Sequence, residues 1–390
     1  MTPDWDPLQT DGVSEDWLGR LVELAPTQRV VSTPFGVAFT RYDDVNSLLS
    51  NPKLKVPVVE QYEMLGITGR LLERAKRVIL GLDGLPHHRL RNLVNRVFTP
   101  KAVAGLAPGM RAFLEQRFDT QAGDSIDFLN DIVSGYPAAV IGGMLGVPED
   151  DLPWLETAAD AITKAQFSLN ADAIDGLAKV AFEVDDYLRA LVDAKRTQPV
   201  DDLLSQLVQM EVDGDRLADD EIISITASVL NAGMDTTRHQ SCLAVTVFAE
   251  HPDVWPDLRA QPDLVANAVE EAVRLRPVTP LLTRMNPEPF AHAGVEYPPR
   301  TFISLAVAVA NRDPQLNPRP DQFDIRRKES RHLSFGFGPH FCLGAALARL
   351  ELVELFKVMV ERLDKVECLG DVPRRPPMGV YGVTELVLAR

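Results

Sequence analysis

Apolar side chains recur at three- and four-residue spacing through most of residues 86–276, and again from residue 345 to about residue 363, which is the period of a helix face. Strand-like alternation is confined to short pieces at residues 30–40, 290–297, 301–307 and 384–388. Proline and glycine clusters punctuate these stretches as loops, at Gly84-Leu85-Pro86, Gly142-Gly143, Asn317-Pro318-Arg319-Pro320 and residues 373–379. No repeat, low-complexity tract or Gly/Ser linker divides the chain. The pattern predicts one mainly α domain over residues 1–390, with small β-sheets near its two ends.

The strongest helix opens at Asp219-Asp220-Glu221, where Asp219 or Asp220 is placed to cap it, and ends near His251-Pro252. About thirty residues at about 1.5 Å each span about 45 Å, so a helix carrying Ile222, Ile223, Ile225, Val229 and Leu230 has to cross the core. Its middle, Ala232-Gly233-Met234-Asp235-Thr236-Thr237, is poor in helix formers, and a threonine hydroxyl there can bond the carbonyl one turn back and bend the axis. By itself this hexapeptide reads as a tolerated kink.

The other apolar helix follows Ser334-Phe335-Gly336-Phe337-Gly338-Pro339-His340-Phe341-Cys342-Leu343-Gly344. A thiolate at Cys342 sits at the positive end of the helix dipole, where anionic sulfur is favoured and its pKa lowered. The glycines let the backbone approach a flat ligand, and Phe335 and Phe341 can screen the sulfur from water. That environment suits a thiolate ligating haem iron. The plainer alternative is a small buried hydrophobe. A dinucleotide loop fails because Phe341 stands where its third glycine belongs, and zinc fails because Cys242, Cys342 and Cys368 are scattered with no Cys-x-x-Cys.

The loop closely resembles the haem-binding signature of the cytochrome P-450 family, Phe-x-x-Gly-x-x-x-Cys-x-Gly, with Phe335, Gly338, Cys342 and Gly344 in register. The resemblance implies a single-domain cytochrome P-450 fold with a long central distal helix and a cysteine-ligand loop, and haem b held through the Cys342 thiolate. The hexapeptide at 232–237 resembles the family's distal motif, which implies that Gly233 opens a groove for dioxygen, Thr236 bonds the oxygen and Asp235 relays protons. Glu271 and Arg274, one turn apart, resemble the family's Glu-x-x-Arg, a structural pair that locks the core around the cysteine loop. The family often adds an arginine as third partner, but Gln322 holds that place here. Asp83 to Arg91 resembles the segment whose histidine and arginine bind haem propionates, which implies His87 and Arg91. Arg284 and His332 fall where the family has its other propionate ligands. Ala310-Asn311-Arg312-Asp313-Pro314 is a smaller match. The substrate pocket is expected from residues 59–80, 161–184, the kinked helix, 277–282 and 378–383, with Met64, Leu65, Phe167, Leu230, Gly233, Met234, Leu281, Leu282, Val380 and Tyr381 lining it, and these predict an apolar ligand.

Composition adds limits. The chain is 45% apolar and 25% charged, as in soluble globular proteins, and lacks the run of about 18 apolar residues that a membrane span needs. An acidic amino terminus without a signal-peptide pattern, together with three scattered cysteines, predicts a cytoplasmic protein. A net charge of −16 argues against nucleic acid. Residues 70–101 nevertheless carry eight basic groups against Glu73 and Asp83, a +6 window that leaves −22 on the rest of the chain. That window reads either as a solvated face or as an anion-binding surface. Arg89, Arg96 and Arg349 lie on segments expected to surround the cysteine, where they would steer an acidic ferredoxin.

The resemblance thus implies a soluble, bacterial-type monooxygenase that inserts one oxygen atom of O2 into an apolar small molecule by hydroxylation or epoxidation. The chain is too short for a fused flavin reductase, so electrons are expected from a ferredoxin with its NAD(P)H-dependent reductase, acting on a monomer. A peroxide-driven peroxygenase, a haem-thiolate sensor and a non-catalytic recruitment domain are the alternatives. The intact Asp235, Thr236 and Cys342 argue against each in turn.

Overall fold

The long apolar helix runs unbroken from Asp219 to Glu250 and is the axis of the molecule. The computed structural model describes residues 16–33, 36–166, 171–212, 214–375 and 379–390. The helices Tyr136–Leu145, Leu152–Gln166, Ala171–Thr197, Val265–Leu275 and Ala345–Arg362 all pack on this axis. They do so because its apolar residues face several directions, as in a helix buried on all sides. Among the described residues no helix is long and apolar enough to cross a membrane.

One local expectation changes. Neither Asp219 nor Asp220 caps the axis, since Asp219 pairs with Arg196 and Asp220 with Arg77 and Arg189. Glu221 instead reaches back to accept from the Ala218 backbone N–H at 2.8 Å. Residues 232–237 stay helical, and Thr236 Oγ1 donates to the Ala232 carbonyl at 2.5 Å, the bond expected to bend the axis there. Gly233 serves packing, because a Cβ there would stand 2.2 Å from Ile141 Cδ1 on the Tyr136–Leu145 helix.

The expected strands appear, shortened. Val30–Thr33 pairs antiparallel with Gly36–Phe39, which runs parallel to Phe302–Leu305, itself antiparallel to Leu282–Met285. Val387–Ala389 pairs with Ser125–Asp127, and Phe290–His292 with Val295–Tyr297. The strand Leu282–Met285 was not anticipated, and it fixes Arg284 beside the site.

Glu271 and Arg274 are both fully buried and paired at 2.7 Å. A guanidinium without water needs an acceptor for each donor. Arg274 finds them in both Glu271 oxygens and in the backbone carbonyls of Asn311, Pro320 and Gln322. The missing third charge is supplied by Arg327, whose Nε lies 3.0 Å from Glu271 Oε1, so Gln322 contributes only its carbonyl. Ser330 Oγ and the Asp324 N–H complete the carboxylate. Arg274→Met should therefore lower folding stability by about 3–5 kcal/mol, since it leaves Glu271 charged and buried. Urea unfolding followed by circular dichroism measures this, and Glu271→Gln on top of Arg274→Met should recover part of the loss.

Candidate active site

The cysteine loop is shaped by its glycines. Gly338 has φ +73°, and a Cβ there would stand 2.9 Å from Ser50 Cα, so no other residue fits. The Phe341 N–H then donates to the Gly338 carbonyl at 3.0 Å and the Cys342 N–H to the Phe335 carbonyl at 2.8 Å. Gly344 immediately precedes the Ala345–Arg362 helix. Cys342 has accessible surface and yet is closely surrounded, as expected on the wall of a cleft. The lowered thiol pKa expected from the helix dipole is not what results. Burial pushes it up, and the Gly344 N–H with the Arg91 and Arg349 charges only partly offsets that. Bound iron would deprotonate the thiol outright.

Helix Gly84–Asn95 brings two of the expected propionate ligands to this loop. Arg91 donates to the Phe341 carbonyl at 2.8 Å, and its charge acts on Cys342. His87, one turn earlier and 3% exposed, packs its ring 4.2 Å from His340. Burial, followed by the charges of His340 and Arg91, holds the His87 imidazole down at about 4, so it is a neutral donor near pH 7. Arg284 is 5% exposed, and among the described residues its only acceptor is the Thr283 carbonyl at 3.0 Å. Burial lowers its pKa to about 10 although Asp83 is near. A buried guanidinium with donors to spare calls for an anion. Arg284, Arg91 and His87 beside an accessible thiol fit a haem, with its two carboxylates and its iron.

His332 does not join them as expected. Its Nε2 lies 2.9 Å from Glu270 Oε1 and its Nδ1 accepts from the Ser334 N–H, so both ring nitrogens are engaged by protein. Arg349 is likewise committed, to Glu270 and to the face of Phe335, 4.3 Å away.

On the axial helix Asp235 is 3% exposed and accepts from Arg238 and Arg375, each at 3.0 Å, with His239 Nε2 at 3.2 Å. Burial alone would raise its pKa, but His239 and the two arginines outweigh that and hold it at about 2. Arg238 and Arg375 also reach Asp160 at 3.3 and 3.4 Å, and Arg238 reaches Glu156 at 3.5 Å, both half-buried. Ala232, one turn before Thr236, is exposed although most of its helix is buried, which marks a cavity wall.

That wall belongs to a cavity of about 270 Å³ formed with Val78, Leu80, Leu155, Ala159, Ile162, Phe182 and Leu230. Of the expected pocket residues only Leu230 lines it. Met64 points to solvent and Leu65 packs on the main core. Gly233 faces Ile141, Met234 and Tyr381 are core residues, and Leu281 packs near the amino-terminal hairpin. Leu282 lies 3.8 Å from the Cβ position of Gly336, Val380 lies outside the cavity wall, and Phe167 falls outside the described residues. The residues missed come from helices whose facing depends on distant packing, so no local motif marks them.

The basic window also resolves differently. Arg74 pairs with Asp185, Lys76 with Glu73 and Arg77 with Asp220. Arg89 grips Asp215 and Glu221, so it is not free to steer a partner at the cysteine face.

A residue not anticipated is Glu351 on the cysteine helix, 1% exposed. Thr237 donates to its Oε2 at a long 3.5 Å, and Oε1 has no partner among the described residues. Burial lifts it to about 8 against an ordinary 4.5, so it is protonated near pH 7. The folded state then keeps a proton that the unfolded chain releases, and stability should fall as pH climbs from about 4.5 to about 8. Glu351→Gln should remove that part of the slope, as read from urea midpoints across the range.

The family model described as "Cytochrome P450" matches residues 170–383. A luteothin monooxygenase of Streptomyces thioluteus is 33% identical over 389 residues, covering 98% of this chain and 93% of the relative. A cyclomarin C epoxidase of Salinispora arenicola is 32% identical over 377 residues, 96% and 95% of the two chains. The crystal fold of a bacillaene polyketide synthase cytochrome P450 of Bacillus subtilis superposes with a TM-score of 0.88 at 26% identity, covering 96% of each chain.

Proposed function

The chain belongs to the cytochrome P450 family and is a monooxygenase carrying haem on a cysteine thiolate, and within that class we propose that Cys342 is the ligand and that the enzyme hydroxylates or epoxidises a largely apolar small molecule. The observation that carries the reading is the meeting of Cys342 with the Arg91 charge, in a loop whose neighbours His87 and Arg284 keep unused donors. Haem, when bound, supplies the binding and reduction of dioxygen and the insertion of one oxygen atom into the substrate.

The chain's own residues orient and supply protons. Arg91, Arg284 and His87 would hold the haem carboxylates. Thr236 holds a proton on Oγ1, which it now gives to the Ala232 carbonyl, one turn from the cavity wall. Asp235, pinned as an anion, accepts a proton and passes it on rather than storing it. The ion pairs through Arg238 and Arg375 to Asp160 and Glu156 link it to half-exposed groups. Electrons come from a ferredoxin-type donor with its reductase. Arg96 and Lys101, exposed and without ion partners among the described residues, suit its docking better than Arg89 or Arg349. The protein acts as a monomer.

Cys342→Ser should abolish the thiolate-type band of the reduced carbon monoxide spectrum, because an alcohol is a poor anionic ligand at neutral pH. Retention of the band would assign the iron to another residue. Thr236→Ala should leave haem and substrate binding intact while diverting NAD(P)H oxidation to hydrogen peroxide. Asp235→Asn should slow turnover by about 10² with less loss of coupling. Stopped turnover with product and peroxide assays separates the two effects.

A further inference from the structure

The mouth of the distal cavity combines a cation with an apolar approach. Its lining carries four guanidiniums, Arg70, Arg74, Arg77 and Arg189, against three carboxylates. Asp185 is taken by Arg74 through two bonds of 2.9 Å, Asp220 is shared by Arg77 and Arg189, and Glu73 is taken by Lys76. Arg70 is left over. It has no carboxylate partner among the described residues, and its guanidinium is held 4.1 Å from the centre of the Phe182 ring. Stacking on an aromatic face fixes the plane while leaving the edge donors free, the presentation a carboxylate or phosphate accepts in bidentate fashion. Leu80, 51% exposed, lies on the same lining.

Inward from this rim the wall is mostly apolar, interrupted by Ser224, Ser228 and Asn231, and reaches Ala232. From Asp220 at the rim to Ala232 is twelve residues of one helix, a rise of about 18 Å. A lining that extends over that length can accommodate an extended chain.

We propose that the cavity selects linear amphiphiles, with an anionic head bound at Arg70 and an apolar chain running inward to Ala232 and Thr236. The selection rests on the monooxygenase reading only in placing oxidation at the inner end of the chain, remote from the head. A free carboxylate and the phosphate of an acylated pantetheine arm share the head chemistry.

Calorimetric titration of the haem-loaded protein tests this. Dodecanoate should bind about tenfold more tightly than dodecan-1-ol or methyl dodecanoate, in keeping with a charge-assisted pair at a partly exposed site. Arg70→Gln should erase that preference without changing the affinity for dodecan-1-ol, Arg70→Lys should keep part of it, and Arg96→Gln should leave it whole. Dodecanoyl phosphopantetheine forms the second arm. Whichever of the two anions binds more tightly identifies the source of the head group, provided Arg70→Gln abolishes its advantage. Equal affinity of wild type for acid, alcohol and ester, or an equal loss of all of them in Arg70→Gln, would overturn the proposal. The reduced carbon monoxide spectrum is recorded on the same samples. A normal thiolate band with no anion preference defeats the selection alone, while an absent band with the preference intact defeats the monooxygenase assignment alone.

Discussion

The site depends on a charge buried without water. Arg274 has no solvent, so its donors must end on protein, and they hold the carbonyls of Asn311, Pro320 and Gln322, 37 to 48 residues further along the chain, at one point. Asn311 extends the lattice. Its amide donates to the Arg274 carbonyl and to Ser334 Oγ, and its Oδ1 accepts from the Leu333 N–H, while Ser334 Oγ donates to the Val273 carbonyl. Ser334 adjoins Phe335, whose carbonyl accepts from the Cys342 N–H. The entry to the cysteine loop is thus fastened to the ion pair by one continuous set of bonds. Replacing the pair by apolar groups of similar volume would spare the desolvation cost, but it would free these strands from a single arrangement.

The positive stretch between Arg70 and Lys101 shows how little a local charge count says about function. Three of its eight bases, Arg74, Arg77 and Arg89, are neutralised by carboxylates more than a hundred residues away, Asp185, Asp215, Asp220 and Glu221. These pairs tie helix Gly84–Asn95 and the segment before it to the start of the axial helix and to helix Ala171–Thr197. They hold the wall of the distal cavity, and they leave on that wall the one base that Phe182 supports instead of a carboxylate.

What could be read from sequence was whatever local chemistry dictates. The axial helix, the glycine loop around Cys342, the adjacent Glu271 and Arg274, and the one-turn spacing of His87 and Arg91 all follow from residues near one another in the chain. The failures share a cause. That Arg327 would replace the expected third arginine, that Glu270 would claim His332, and that His340 would pack on His87 and bond Asp83 depend on which surfaces meet after folding. The wall segments were partly foreseen, residues 161–184 among them, but not that Leu155, Ile162 and Phe182 face the cavity, since their periodicity marks a buried face without saying what it faces. Gly233 carries the sharpest lesson. A glycine amid weak helix formers suggested only a kink, and what the sequence did not show is the neighbouring helix, whose Ile141 leaves no room for a Cβ.

Two carboxyls close to the Thr236-Thr237 step, both nearly without solvent, end in opposite charge states. Asp235 has His239 against it and the guanidinium groups of Arg238 and Arg375 reaching in from half-buried positions, and together they outweigh the cost of burying the anion. Glu351 has only a long bond from Thr237, so burial goes unopposed and it keeps its proton. Depth therefore does not decide ionisation here; access to counter-charge does. Because the arginines that serve Asp235 also hold Asp160 and Glu156, the residue that stays ionised is the one joined to the surface through polar groups. The proton on Glu351, by contrast, is isolated by apolar packing and its single hydroxyl neighbour.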